Sequence, residues 1–386
     1  MEQIFDFEEI RPYRDNEIHD KLMQLIKEPA LINSLPKIFP SIPVEDIINQ
    51  LKNIHTVQDF QEKVMYVFLR NLEEKTTKGI EINGVQNISK SKSYLYISNH
   101  RDIILDSAFL NYKLISIDAL LTEIAIGDNL LIFPWIKDLV RANRIFIVQR
   151  DAPVRQMLDI SKRLSAYIKH TLVERNQSIW IAQREGRAKD SNDRTQEALL
   201  KMLHMSGEKS VVENLKDLNI CPVTISYEYD PCDYLKAKEF QQKRDNVDFK
   251  KSPQDDLMSM GIGIKGFKGR IRYYLNGDIN KELDAVTKQA TTRNEQIELA
   301  VKLIDKRIHL HYEIFSGNKV AYDLLLGTNT FASDYDFKEK ASFETYLQQQ
   351  LDKIELPNKD EKFLKTKILE MYANPLINKL KAENIK

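Results

Sequence analysis

His100 follows the apolar, β-branched and aromatic run 94–98 and Asn99, and charged residues come directly after it: Arg101, Asp102 and Asp106. A neutral imidazole beside a carboxylate is the usual general base, because its unperturbed pKa of about 6.5 lets it take a proton and the carboxylate offsets the charge it gains. Two more apolar runs end in the same way. Residues 144–149 lead to Arg150, and residues 178–183 lead to Arg184, Glu185, Gly186 and Arg187. Arginines offer the paired donors that a phosphate needs, and a glycine just after a strand allows a tight turn and a close backbone approach. A histidine base facing several arginines suits an anionic acceptor. Any one of these arginines alone reads as a solvated surface charge, and His100 alone as a hydrogen-bonded structural residue; their recurrence at strand ends is what gives them weight.

The elements that must position these residues are legible in outline. Strand-like runs near 94–98, 144–149, 178–183 and 219–229 alternate with helical patterns, notably 103–110 and the amphipathic stretch 153–172 with Asp151 as its cap. Such alternation predicts an α/β domain with a mixed, largely parallel sheet flanked by helices. Parallel strands end on a common edge, so the three charged turns converge on one crevice. The helix that starts after His100 also points its free amides toward an anion there. Three regions follow: an N-terminal helical bundle over 1–77, the α/β domain over 78–280, and a helical C-terminal extension over 281–386. In the first, Pro43 and Thr56 stand at helix starts, while His19 and His55 read as packing or surface residues.

Composition removes several classes of function. Lys plus Arg equals Asp plus Glu at 57 each, so no basic surplus marks a nucleic-acid binder. Two cysteines are too few for a disulfide framework or a thiolate zinc site, which fits a reduced, cytoplasmic compartment. The acidic N-terminus lacks the pattern of a signal peptide, and no run approaches the ~20 apolar residues of a membrane span. His100-Arg101-Asp102 spells a kinase catalytic triplet, but Ser107 stands where a metal-binding Asn belongs, and no Asp-Phe-Gly follows. Gly261, Gly263 and Gly266 match a dinucleotide fingerprint in the wrong context, with a helix-like stretch before them and a strand-like stretch after, itself read as an edge strand. His309 and His311 lie on different helix faces, which argues against a metal site. Residues 130–136 form the most apolar stretch, which reads equally as a buried helix start or as a lip dipping into lipid.

Taken together, the ordered motifs resemble the glycerolipid acyltransferase family, which includes the glycerol-3-phosphate and lysophosphatidic acid acyltransferases. That family carries Asn-His-x4-Asp, then Phe-Ile-x-Arg, Glu-Gly-x-Arg and a Val/Ile-Pro-Val/Ile strand. Here Asn99-His100 with Asp106, Phe146 to Arg150, Glu185-Gly186-Arg187 and Cys221-Pro222-Val223 stand in the same order at similar intervals, within about residues 80–280. The first spacing departs from the pattern: His-x5-Asp is a residue longer, so either Asp106 through a local bulge or Asp102 takes the carboxylate role, with Asp106 preferred. The second motif also has an extra residue, and Gln183-Arg184 replaces an aromatic and a Pro or Val.

The resemblance implies that His100 takes the proton of an acceptor hydroxyl as it attacks an acyl thioester. Arg150 and Arg187, with Arg184, would hold the acceptor phosphate, and Glu185 and Gly186 would shape the pocket. No metal or redox cofactor is expected; acyl-CoA or acyl carrier protein serves as co-substrate. Lysophosphatidic acid or glycerol-3-phosphate is the implied acceptor, and a peripheral place on the cytoplasmic membrane face the implied location. An aminolipid or other lysolipid acceptor, or a catalytically inactive lipid-binding protein, are the alternatives.

Overall fold

The strands form first from residues that favour a doubly covered sheet. In the computed structural model, which describes residues 5–38, 42–131, 133–150 and 153–384, seven strands build one sheet: β1 (Ile80–Asn83), β2 (Leu95–Ser98), β3 (Thr122–Gly127), β4 (Ile145–Val148), β5 (Ser178–Ala182), β6 (Ile220–Tyr227) and β7 (Ile271–Leu275). Their order is β1-β7-β6-β2-β5-β3-β4. All neighbours are parallel except β6 and β7, so β1 and β7 run against the other five. The sheet is therefore mixed and largely parallel, as expected. β7 is not an edge strand, contrary to the sequence reading, because β1 adds to its free side through the register Ile80↔Ile271 to Asn83↔Tyr274.

Side chains alternate between the two faces, and each face is covered, which is why these strands read as apolar without alternation. Leu95, Ile97 and Ile179 pack into one core with helices Val154–Lys169, Glu197–Leu203 and Arg293–Leu310. Tyr94, Tyr96 and Trp180 pack into the other with helix Leu105–Ser116. Two further apolar clusters lie outside the sheet. One gathers the N-terminal helices around Leu22, Leu51 and Phe60 and takes in Trp135 and Leu139; the other joins Ala237 to the C-terminal helices through Phe343, Leu347 and Leu364.

Local expectations hold in part. Thr56 caps a helix, accepting from the Asp59 amide at 3.0 Å, but the helical run 57–76 is interrupted by a π-helical turn at Phe60–Met65. His19 and His55 stack on each other at 4.5 Å. Helix Pro134–Ala142 starts with proline in its first turn; Trp135 faces the N-terminal cluster, whereas Phe133 is 49% exposed. Asp151 lies outside the described residues. Gly261 and Gly263 sit within helix Pro253–Lys265 and β7 follows, so no phosphate-binding turn is formed.

Candidate active site

Strand β2 delivers His100, and Asn99 makes the turn possible. The Asn99 amide both donates to the Ile225 carbonyl (2.9 Å) and accepts from the Ile225 amide (2.8 Å), so a side chain continues the ladder to β6 after the backbone of β2 has turned away. His100 then emerges 13% exposed, its ring packed against Trp180 at 5.8 Å. Trp180 is itself fixed by donating to Ser98 Oγ at 3.0 Å.

The two candidate carboxylates do different things. Asp106, fully buried in the first turn of helix Leu105–Ser116, places Oδ2 2.8 Å from His100 Nδ1. The same oxygen accepts from the amides of Arg101 (2.6 Å) and Asp102 (3.1 Å), so the turn folds around this carboxylate and absorbs the extra residue of the His-x5-Asp spacing. Asp102 instead caps the helix, with Oδ1 accepting from the amides of Ile104 (2.9 Å) and Leu105 (2.8 Å). Burial, and then the Asp106 charge, push the Asp102 carboxyl above its ordinary range against those bonds and the nearby Arg187.

The other charged turns reach the same crevice. A cavity of about 460 Å³ at the carboxyl ends of β3, β4 and β5 is lined by His100, Arg150, Arg184, Glu185, Gly186 and Arg187. All the residues singled out in the sequence face it except Asp102 and Asp106, which lie behind His100. Arg150 donates to Glu185 Oε1 at 3.3 Å and its amide donates to Asp128. Gly186 has φ +69°, a left-handed turn that favours glycine and lets the chain double back after β5. Arg187 directly follows it, one position earlier than in the family pattern, and still lines the crevice. Among the described residues neither Arg184 nor Arg187 has a carboxylate within ion-pair distance. The cavity is also lined by the apolar side chains of Ile126, Val148, Leu164, Ile181, Leu199 and Met202.

Several residues at the site gave no local signal in the sequence. Lys189 and Lys251 also line the crevice, already paired with Glu239 (2.6 Å) and Asp256 (2.8 Å). Gly263 is the informative case. A β-carbon there would stand 2.0 Å from Asp102 Oδ2, so the glycine lets helix Pro253–Lys265 pack directly on that carboxylate. The glycine-rich spacing was visible; its packing role was not. Among the described residues no three His, Cys, Asp or Glu side chains gather as metal ligands do.

Residues 79–226 match the family model described as Acyltransferase. Among solved structures the fold is similar to the 1-acyl-sn-glycerophosphate (LPA) acyltransferase PlsC from Thermotoga maritima, at 8% identity and a TM-score of 0.34, over 74% of this chain and 91% of that one. That likeness is too low to carry chemistry across. No curated protein matches significantly. The family match spans β1 to most of β6 and contains His100, Asp106 and all three charged turns: residues 79–226 are a domain of the acyltransferase family.

Proposed function

We propose that the chain moves a fatty acyl group from an acyl thioester, carried on coenzyme A or acyl carrier protein, to a hydroxyl of a glycerol-phosphate acceptor, lysophosphatidic acid or glycerol-3-phosphate. The observation that carries this reading is the 2.8 Å contact of His100 with Asp106 beside a cavity lined by both arginines and apolar side chains. Arg187 and Arg184, with Arg150, hold the acceptor phosphate through charge-assisted hydrogen bonds and so present its hydroxyl to His100. The imidazole removes the hydroxyl proton as the oxygen attacks the thioester carbonyl, and Asp106, accepting from Nδ1, offsets the charge on the ring. The tetrahedral intermediate collapses by breaking the carbon–sulfur bond, and the departing thiolate takes the proton back from His100. The apolar lining receives the acyl chain.

We place the chain peripherally on the cytoplasmic membrane face, and exposed apolar side chains near the cavity support the membrane contact. Phe133 is 49%, Leu158 54% and Met258 53% exposed, and each lies close in sequence to a lining residue, Leu130, Met157 or Asp256. Exposed apolar side chains near the crevice favour contact with lipid, from which an acyl chain can enter. Among the described residues no helix is long and apolar enough to cross a membrane. The test is acyl transfer from palmitoyl-CoA and palmitoyl-carrier protein to lysophosphatidic acid and glycerol-3-phosphate. Ester formation with at least one pair supports the proposal; none with all four pairs refutes it.

A further inference from the structure

Behind the catalytic turn lies a buried ion pair that the acyltransferase chemistry does not use directly. The Arg101 guanidinium donates to both oxygens of Asp193, Nη1 to Oδ1 at 2.9 Å and Nη2 to Oδ2 at 2.6 Å, and both residues are almost fully buried. Asp193 belongs to the loop between β5 and helix Glu197–Leu203. Its Oδ2 also accepts from the Tyr312 hydroxyl, and its carbonyl oxygen lies 3.0 Å from His309 Nε2. His309 lies in the last turn of helix Arg293–Leu310 and Tyr312 two residues beyond its end, both outside the segment that matches the acyltransferase family.

Arg101 is therefore held at three points. Its side chain is gripped by Asp193, its carbonyl accepts from the buried Lys236 ammonium at 3.0 Å, and its amide donates to Asp106 Oδ2 at 2.6 Å. That oxygen is the one facing His100 Nδ1. The backbone of Arg101 is thus the link between a buried charge pair and the orientation of the Asp106 carboxylate, and a fork of two charge-assisted bonds fixes an arginine far more tightly than a single contact does. A guanidinium left without its carboxylate in this interior would move toward another partner and take its backbone along.

We propose that Asp193 and Tyr312 are positioning residues for the His100–Asp106 pair, so that the C-terminal helical extension completes the active site of the acyltransferase domain. The inference rests on the acyltransferase reading above. Its natural control is in the same place: Asp305, on the same helix, accepts from the amide (2.8 Å) and the hydroxyl (2.7 Å) of Thr195, two residues after Asp193. That bond ties the same loop to the same helix without touching Arg101.

The test compares Tyr312→Phe, Asp193→Asn and Asp305→Asn in the full chain, reading kcat and acceptor KM for the acceptor the natural protein uses, the melting temperature, and the NMR signal of the His100 Nδ1 proton. Misplacing a catalytic group by about 1 Å can cost about 10²-fold in rate, and smaller shifts cost less. Tyr312→Phe is expected to lower kcat about tenfold and Asp193→Asn more, with acceptor KM unchanged and the Nδ1 proton signal shifted or broadened. Asp305→Asn is expected to lose melting temperature while keeping kcat and the proton signal. Should Asp305→Asn lose rate in the same proportion to melting temperature as Tyr312→Phe, or should Tyr312→Phe keep its full kcat and an unchanged proton signal, the network is structural only and the proposal fails. If the natural protein transfers no acyl group at all, it is the underlying acyltransferase reading that fails, while an altered Nδ1 signal in Tyr312→Phe alone would still support the coupling.

Discussion

Two cavities lie at opposite ends of strands β3 to β5, and both are rich in arginine. The one at the amino ends, about 590 Å³, is lined by Arg11, Arg14, Arg144 and Arg175. There Arg11 pairs with Glu8 and Glu17, Arg14 with Glu8 at 3.0 Å, and Arg175 with Glu123 at 2.8 Å, while Arg144 donates to the Gln177 side chain and lies near the Glu123 charge without a direct ion pair. The hydrogen bond from Arg11 pulls the Glu17 carboxyl down to about 2, the mark of a charge already answered inside the chain. The cavity at the carboxyl ends has Arg184 and Arg187 without such partners, and it has His100 and Asp106. The contrast shows that a cluster of arginines points to a ligand where its charge is unbalanced, and to architecture where it is balanced.

The largest effect that would test this contrast is at the base itself. His100→Ala is expected to lower kcat about 10³-fold with the melting temperature nearly unchanged, a loss within the range for a general base. Next come matched arginines from the two cavities. Arg187→Ala should raise the acceptor KM about 10- to 150-fold, as expected for about 1.5–3 kcal/mol of hydrogen bonding to a charged group. Arg175→Ala should leave both kinetic constants alone and lower the melting temperature, because the buried Glu123 loses its partner; equal kinetic damage from the two would erase the distinction.

A fourth variant probes the packing behind His100. Gly263→Ala drives a methyl group toward Asp102 and should cost about 1–3 kcal/mol of stability, read by denaturant unfolding, with a smaller loss of rate. The smallest effect on rate concerns Asp233, which burial raises to about 7 while the nearby Asp230 charge adds to the shift. A carboxyl raised above its unfolded value binds its proton more tightly when folded. Its contribution to stability is therefore full below about pH 4 and is lost as pH rises through about 7. Asp233→Asn should flatten that part of the melting-temperature profile without changing kcat.

Most of the candidate site and of the central sheet was legible in the sequence because both depend on local signals. Apolar runs ending at His100, Arg150 and Arg184 declare strands and the edge they share, and the chemistry at each end was readable from residue types alone. What remained hidden depends on contacts between distant segments. Nothing near Asp193 or Tyr312 marks them as partners of Arg101, since the pairing joins a loop to a helix over a hundred residues away. β7 looked like an edge because its second neighbour, β1, is short and comes from the start of the domain. The lengthened His-x5-Asp spacing left two carboxylates open, and only the fold of the turn, in which Asp102 caps a helix while Asp106 gathers two amides and the imidazole, separates them.

That separation is the most direct point of attack on the account. The measurement is the rate of acyl transfer by Asp106→Asn and Asp102→Asn beside the natural protein, at one pH and with the acceptor it uses. Asparagine at 102 can still cap the helix through its amide oxygen, so its rate should stay within about threefold, since Asn and Asp cap almost equally well. Asparagine at 106 removes the charge that holds the imidazole and should lower kcat about 10²- to 10⁴-fold, as loss of the orienting carboxylate does in a comparable hydrogen-bonded triad. Equal losses in the two variants, or full activity in Asp106→Asn, would contradict the assignment of Asp106 as the partner of His100.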